Sequence, residues 1–196
     1  MNGSNQNGSQ LALIFVLGAP GAGKDVQCSL LSEKLGYVHL SSGDLIRTER
    51  DMLDSQYGTI ISEILKEPGN FVPSNITCTL IGKAIASCPP SSTVLLDGFP
   101  INQSNLSTWE AGLGSTMKLR SVVFLDIPEE LSLIRCLGRG RSDDQEQSVR
   151  KRYAAFRRES LPVIEHYKAK GVLKTVDGIG ETHEVFERLL RALQSS

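Results

Sequence analysis

The chain has 196 residues, with Lys plus Arg at 21, Asp plus Glu at 22, a formal net charge of −1 and 40% apolar residues. This is the length of one domain with a full core, and the charge balance excludes a global pull toward nucleic acid or an anionic membrane surface. No apolar stretch is long enough to span a bilayer, and the four cysteines (Cys28, Cys78, Cys88 and Cys136) are scattered with no CxxC pair, so we expect thiols in a reducing compartment and a cytoplasmic protein, with the nucleus left open.

Residues 1–10, MNGSNQNGSQ, are polar and rich in Gly, Asn and Ser, a composition expected to stay disordered. Leu11–Leu17 reads as a buried strand, Asp25–Leu35 as a helix ended near Gly36, and Tyr37–Leu40 as a second strand. Helices are expected over Ser42–Leu53, Gln56–Lys66 and from Pro73 to about Ser87, followed by a strand over Thr93–Leu96. A helix over Asn102–Ala111, a strand over Arg120–Asp126 and a helix from Pro128 to about Leu137 come next. A Gly/Arg-rich loop from Gly138 to Asp144 leads into one long helix, Gln145–Ala169, with a kink expected at Pro162. Val172–Val176 is the last strand and Glu181–Leu193 the last helix. Apolar strands alternating with helices predict an α/β domain, a five-stranded parallel sheet covered on both faces. Ligands of such sheets bind beyond the carboxyl ends of the strands.

The first such end carries Gly18, Ala19, Pro20, Gly21, Ala22, Gly23 and Lys24 between a strand and a helix. Glycines let backbone N–H groups curl around an anion, the helix start adds partial positive charge, and Lys24 supplies a compact cation for terminal phosphates. The next residues, Asp25 and Val26, lack the hydroxyl by which many phosphate loops bind Mg²⁺, which argues against a GTPase or a motor ATPase. Asp25 instead sets a carboxylate beside the cradle, where repulsion is expected. Asp97, at the end of another strand, fits a carboxylate holding Mg²⁺ directly or through water, against the plainer reading of a turn cap.

Arginines cluster late in the chain. Arg135, Arg139 and Arg141 surround Gly138 and Gly140, and a glycine-flanked loop of this kind can fold over a polyphosphate with bidentate forks. Arg150, Lys151, Arg157 and Arg158 read as a solvated helix face, and Asp143 and Asp144 are placed to orient the neighbouring arginines when no nucleotide is bound. There are more arginines than one triphosphate needs, which suggests two phosphorylated substrates and a phosphoryl transfer driven by positioning and charge neutralisation.

Four segments in order, GAPGAGKDVQC (18–28), HLSSGDLIRTER (39–50), LLDGFPINQSNLSTW (95–109) and RCLGRGRSDD (135–144), resemble the nucleoside monophosphate kinases, adenylate kinase-like proteins, and their UMP/CMP kinase branch most closely. DSQYGTII (54–61) and FVPSNIT (71–77) resemble that branch as well, and the likeness runs from about Leu11 to Leu190. The resemblance implies a three-layer fold of the phosphate-loop nucleoside triphosphate hydrolase type, with a monophosphate-binding lobe at about 42–87 and a short lid at about 138–144. It implies ATP as donor, Mg²⁺ as cofactor, a nucleoside monophosphate as acceptor and a monomer as the working state. Residues 18–26 would cradle the ATP phosphates, Arg135 would stack on the ATP base and Arg139 would contact its phosphates. Arg47, Arg141 and Arg152 would grip the acceptor phosphate and the transferring group. Ser42, Val72, Gly98 and Asn105 would surround the acceptor base, Asn105 resembling the pyrimidine enzymes where adenylate kinases carry Gln.

Three positions depart from the family's pattern: Asp25 stands for a glycine, Val26 for a threonine and Ile101 for the arginine of DGFPR. Three readings follow: a kinase acting on UMP or CMP, a kinase acting on AMP, or a relative that binds nucleotide with weakened turnover. Because the arginines lie on segments distant from the phosphate loop, closure of lobe and lid on the substrates is expected.

Overall fold

The computed structural model describes residues 11–141 and 143–195; the expected disorder of residues 1–10 lies outside them. Among the described residues a five-stranded sheet of order β2-β3-β1-β4-β5 forms from β1 (Ala12–Gly18), β2 (Val38–Ser41), β3 (Thr93–Asp97), β4 (Lys118–Asp126) and β5 (Leu173–Asp177). Every pairing is parallel. Strand centres such as Leu13–Val16 and Val122–Leu125 are buried because both faces are covered, which is why they read as continuous apolar runs. The helices between them are α1 (Lys24–Leu35), α2 (Ser42–Asp51), α3 (Gly58–Leu65), α4 (Ser74–Ala86), α5 (Gln103–Ala111), α6 (Glu129–Arg139), α7 (Glu146–Ala155), α8 (Leu161–Ala169) and α9 (Thr182–Gln194).

Aromatic packing fixes one side of the sheet. The Phe15 ring meets Phe99, Trp109 of α5 and Tyr167 of α8 edge-on, with centroids 6.1, 5.6 and 5.9 Å away. Edge-to-face contacts of this kind add to the area each ring buries. Elsewhere α1 and α9 pack together, tied by Gln27, whose side-chain amide donates to the Thr182 carbonyl at 3.0 Å, and by Lys34 over the Phe186 ring. A second, smaller apolar cluster of Ile61, Val72, Ile76 and Leu80 holds α3 to α4 away from the sheet.

Two expectations need correction. The loop after α6 starts later than Gly138: the helix continues through Arg139 and stops at Gly140, whose φ of 71° is left-handed. The long helix does not simply kink at Pro162. A wide π turn over Phe156–Ser160 lies between α7 and α8, directly before Pro162, which has no N–H to donate to the turn behind it. A short 3₁₀ turn over Leu113–Thr116, which no sequence signal marked, leads into β4.

The segment between α6 and α7 is held by charge. Arg139 donates twice to the Asp144 carboxylate, at 2.5 and 2.9 Å, and Arg152 donates to Asp144 at 2.6 Å and to Asp143 at 3.0 Å. Burial works to raise the Asp144 carboxyl, but the hydrogen bonds and charges of Arg139 and Arg152 outweigh it and hold the group at about 2.

Two outcomes follow for stability. Phe15→Ala, which opens a cavity under three rings, is expected to cost about 3–5 kcal/mol in denaturant unfolding. Because the Asp144 pKa is lower in the folded than in the unfolded chain, its stabilisation is complete above the ordinary aspartate value of about 3.9 and is lost as the pH falls through about 2. Asp144→Asn should therefore lower stability by about 1–2 kcal/mol at pH 7, with the difference shrinking toward zero when both proteins are melted at the acid end of that window.

Candidate active site

A cleft of about 1250 Å³ opens beyond the carboxyl ends of the strands. It lies above β1, from which the chain leaves toward β2 while β4 leads away toward β5, so the loops diverge there. Its floor is the turn Gly18–Gly23 and the start of α1. That helix start has Gly23 as its N-cap at φ 86°, with no capping side chain. Its first-turn N–H groups are therefore left to face an anion, and the helix dipole favours one. Gly21 is required for a second reason. At φ 74° a Cβ there would stand 2.8 Å from the Ser132 carbonyl of α6, and the Ser132 hydroxyl donates to the Pro20 carbonyl at 2.6 Å, so the loop is clasped by the next layer. The Lys24 ammonium donates to the Gly18 and Ala19 carbonyls at 3.0 and 3.1 Å, which folds it back over the turn.

The structure brings the sequence-predicted residues together. Pro20, Ala22, Asp25, Val26, Ser42, Arg47, Val72, Asp97, Gly98, Asn105, Arg135, Arg139, Arg141 and Arg152 line the same cleft as the glycines and Lys24, whereas Ala19 is buried beneath the loop. Arg47, one turn into α2, pairs with Asp44, and Arg141 from the segment after α6 is near enough for its charge to act on the same carboxylate. Burial acts to raise Asp44, and the Arg47 hydrogen bond and charge, with Arg141, bring it below the usual aspartate value. Arg135 donates to the carbonyls of Gly178 and Gly180, at 3.0 and 3.1 Å, so its guanidinium lies flat along the loop after β5. Asp143 and Asp144 occupy Arg139 and Arg152, a neutralised arginine store.

At the other end of the cleft Asn105 is 1% exposed. Its amide nitrogen donates to the Ser74 hydroxyl at 2.8 Å and its oxygen accepts from the Ile101 backbone N–H at 3.3 Å, so the side chain is pinned from both ends. The Ser42 hydroxyl donates to the Gly98 carbonyl at 2.7 Å, locking the end of β3 to the start of α2. Ile101 lines the cleft with an apolar side chain, its carbonyl accepting from the Ser160 hydroxyl at 2.7 Å.

Sequence reasoning missed two members. Ser74 positions Asn105, and its only signal is its place just after Pro73 at a helix start. His39 stands on β2, two residues before Ser41, which pairs with Asp97. Its Nε2 lies 3.7 Å from an Asp97 carboxylate oxygen. A histidine inside an otherwise apolar strand was the available signal. Buried Cys28, one turn beyond Asp25, is pushed up by burial and by the Asp97 charge, which keeps it a neutral thiol.

Comparison with known proteins now adds to this geometry. The adenylate kinase family pattern matches residues 16–172. The chain is similar to UMP-CMP kinase 2 of Caenorhabditis elegans, 40% identical over 166 residues that cover 84% of this chain and 86% of that protein. It is likewise similar to the UMP-CMP kinases of Homo sapiens and Gallus gallus, 39% and 40% identical over 187 residues, each covering 91% of this chain and 95% of the relative. With the phosphate loop, the arginines and the strand ends converging on one cleft, the chain belongs to the adenylate kinase family of nucleoside monophosphate kinases, on its UMP-CMP kinase branch.

Proposed function

We propose that the protein transfers a phosphoryl group from ATP to UMP or CMP, giving ADP and the nucleoside diphosphate. The observation that carries this reading is a single cleft holding, at one end, an uncapped helix start with Lys24 and, at the other, the pinned Asn105 amide, with Arg47, Arg139, Arg141 and Arg152 between them. The names of the similar proteins, UMP-CMP kinase, support the choice of acceptor.

In this reading Gly18–Val26 bind the ATP phosphates, Arg135 flanks the ATP base and Lys24 swings from the Gly18 and Ala19 carbonyls onto the β- and γ-phosphates. The Asp97 carboxylate has one buried oxygen with no partner, and it would hold, through water, the Mg²⁺ that arrives with ATP, whose charge would offset that of the phosphates. Residues 42–87 form the lobe that receives the monophosphate, where Ser42, Val72, Gly98 and Asn105 meet the base and Arg47 meets its phosphate. Residues 138–144 form the lid. When it closes, Arg139 and Arg152 exchange Asp143 and Asp144 for phosphate oxygens, and Arg141 joins them. The carboxylates have kept these arginines oriented, so less order has to be gained on binding. The reaction then needs positioning and charge neutralisation, with no covalent enzyme intermediate. Both substrates reach the site within one chain, so a monomer suffices.

Ile101 gives a second reading its footing. A guanidinium hydrogen bond to a charged phosphate contributes about 1.5–3 kcal/mol, and an isoleucine supplies none, so acceptor binding or rate is weakened while Arg47, Arg141 and Arg152 remain.

Purified protein with Mg²⁺ and ATP should release ADP with CMP or UMP in preference to AMP and GMP in a coupled assay. A preference for AMP would instead establish an adenylate kinase, and silence with every monophosphate from folded protein would leave only nucleotide binding. Ile101→Arg is expected to raise kcat/KM for the acceptor by about ten- to a hundredfold, read in the same assay.

A further inference from the structure

Asp25, His39 and Asp97 each offer a ligand atom, and these atoms lie within 4.8 Å of one another. They come from three elements: the first turn of α1, the middle of β2 and the end of β3. Asp97 is 6% exposed, and neither its Oδ1 nor the His39 Nε2, both buried, has a hydrogen-bond partner. At 3.7 Å the His39 Nε2 and the Asp97 Oδ2 are too far apart to satisfy each other by a hydrogen bond. Two buried polar atoms are thus unmatched side by side, and an unpaired buried polar atom is costly. Metal–ligand bonds of about 2.0–2.2 Å place adjacent ligands of a tetrahedral ion about 3.4 Å apart, so the His39–Asp97 pair at 3.7 Å is already near that spacing and Asp25, within 4.8 Å, would close in by side-chain rotation. Asp25 and Asp97 line the cleft, so an ion can reach both carboxylates from it.

We propose that Asp25, His39 and Asp97 form a divalent cation site built from protein ligands, which takes an ion that accepts imidazole (Mn²⁺, Co²⁺ or Zn²⁺) in preference to Mg²⁺ and fills without nucleotide. Mg²⁺ is hard, favours oxygen ligands in a near-ideal octahedron and keeps its waters, whereas imidazole suits the later first-row ions. Two carboxylates and a neutral imidazole carry a charge of −2, which a divalent ion cancels. Asp25 then ceases to repel the triphosphate that the adjoining loop is shaped to hold. The site stands on these three residues and on no assumption about the acceptor; only its use, presenting a metal to nucleotide phosphates, rests on the kinase reading.

The test is a titration of nucleotide-free, chelator-treated full-length protein with Mn²⁺, following the electron paramagnetic resonance signal of the free ion. One Mn²⁺ per chain is expected, displaced by Co²⁺ or Zn²⁺ at lower concentrations than by Mg²⁺. Asp25→Gly and His39→Gln should each weaken binding by about tenfold or more, while unfolding of both variants measured with chelator present stays like that of the parent. Absence of nucleotide-free binding, binding that Mg²⁺ displaces as readily as Co²⁺ does, or binding untouched by both substitutions would overturn the site. Any of these leaves the phosphoryl-transfer assay free to succeed or fail separately.

Discussion

The backbone N–H groups at the start of α1 have no capping side chain, and the cleft is organised around that deficit. A helix start left open in this way is stable only where water or an anion can reach it. It therefore has to sit at the carboxyl edge of the sheet, over the point where the loops diverge. Once it sits there, the lengths of the strands decide what faces it: β3 ends on Asp97, β2 ends on the Ser41 that caps α2, and α6 leans its Ser132 hydroxyl onto the turn. The clasp leaves no room for a side chain at Gly21. Rigidity of the turn thus comes from tertiary contact as well as from local glycine chemistry, and the anion site is already shaped in the free protein.

The cleft is also a problem in charge storage. It is lined by Lys24, Arg47, Arg50, Arg135, Arg139, Arg141 and Arg152, and by Asp25, Asp44, Asp97 and Asp143 among the acids. Without ligand, several of these cations lean on neighbouring carboxylates: Arg47 on Asp44, Arg50 on Asp51, and Arg139 and Arg152 on Asp144. Arg135 uses backbone carbonyls instead. Phosphates compete with partners that are already well aligned, so net affinity is the difference between two good arrangements. Among the described residues Asp25 and Asp97 are the exceptions, two carboxylates at the cradle that lean on no arginine.

Much of this was legible in the sequence. The strand–glycine turn–helix pattern fixed the place of the phosphate loop, since periodicity and glycine spacing are local signals. The parallel sheet followed from apolar runs that need cover on both faces. The arginine-rich segment could be placed at the cleft because its residues crowd in sequence. Other features depend on contacts that no local pattern contains. His39 reaches Asp97 only through the register of β2 on β3, and Ser74 reaches Asn105 across 31 positions. The wide turn at Phe156–Ser160 was legible only as a kink expected at Pro162, because proline is the visible helix breaker, while a π turn carries no composition of its own.

That turn has a consequence for how the chain tolerates change in length. An α-helix advances about 100° per residue, so an added or lost residue swings everything beyond it around the axis. The widened turn at Phe156–Ser160 sets the angular phase between α8, which sends Tyr167 against Phe15, and α7, which sends Arg152 into the cleft. Ser160 is pinned to the Ile101 carbonyl, so α7 is the part left to turn. Deletion of one residue here would rotate α7 by about a quarter-turn, carrying Arg152 out of the cleft and Val149 and Tyr153 out of the core that they now help to fill. The wide turn acts as a phase adjuster between α8, which answers to the core, and α7, which has to answer to core and cleft at once.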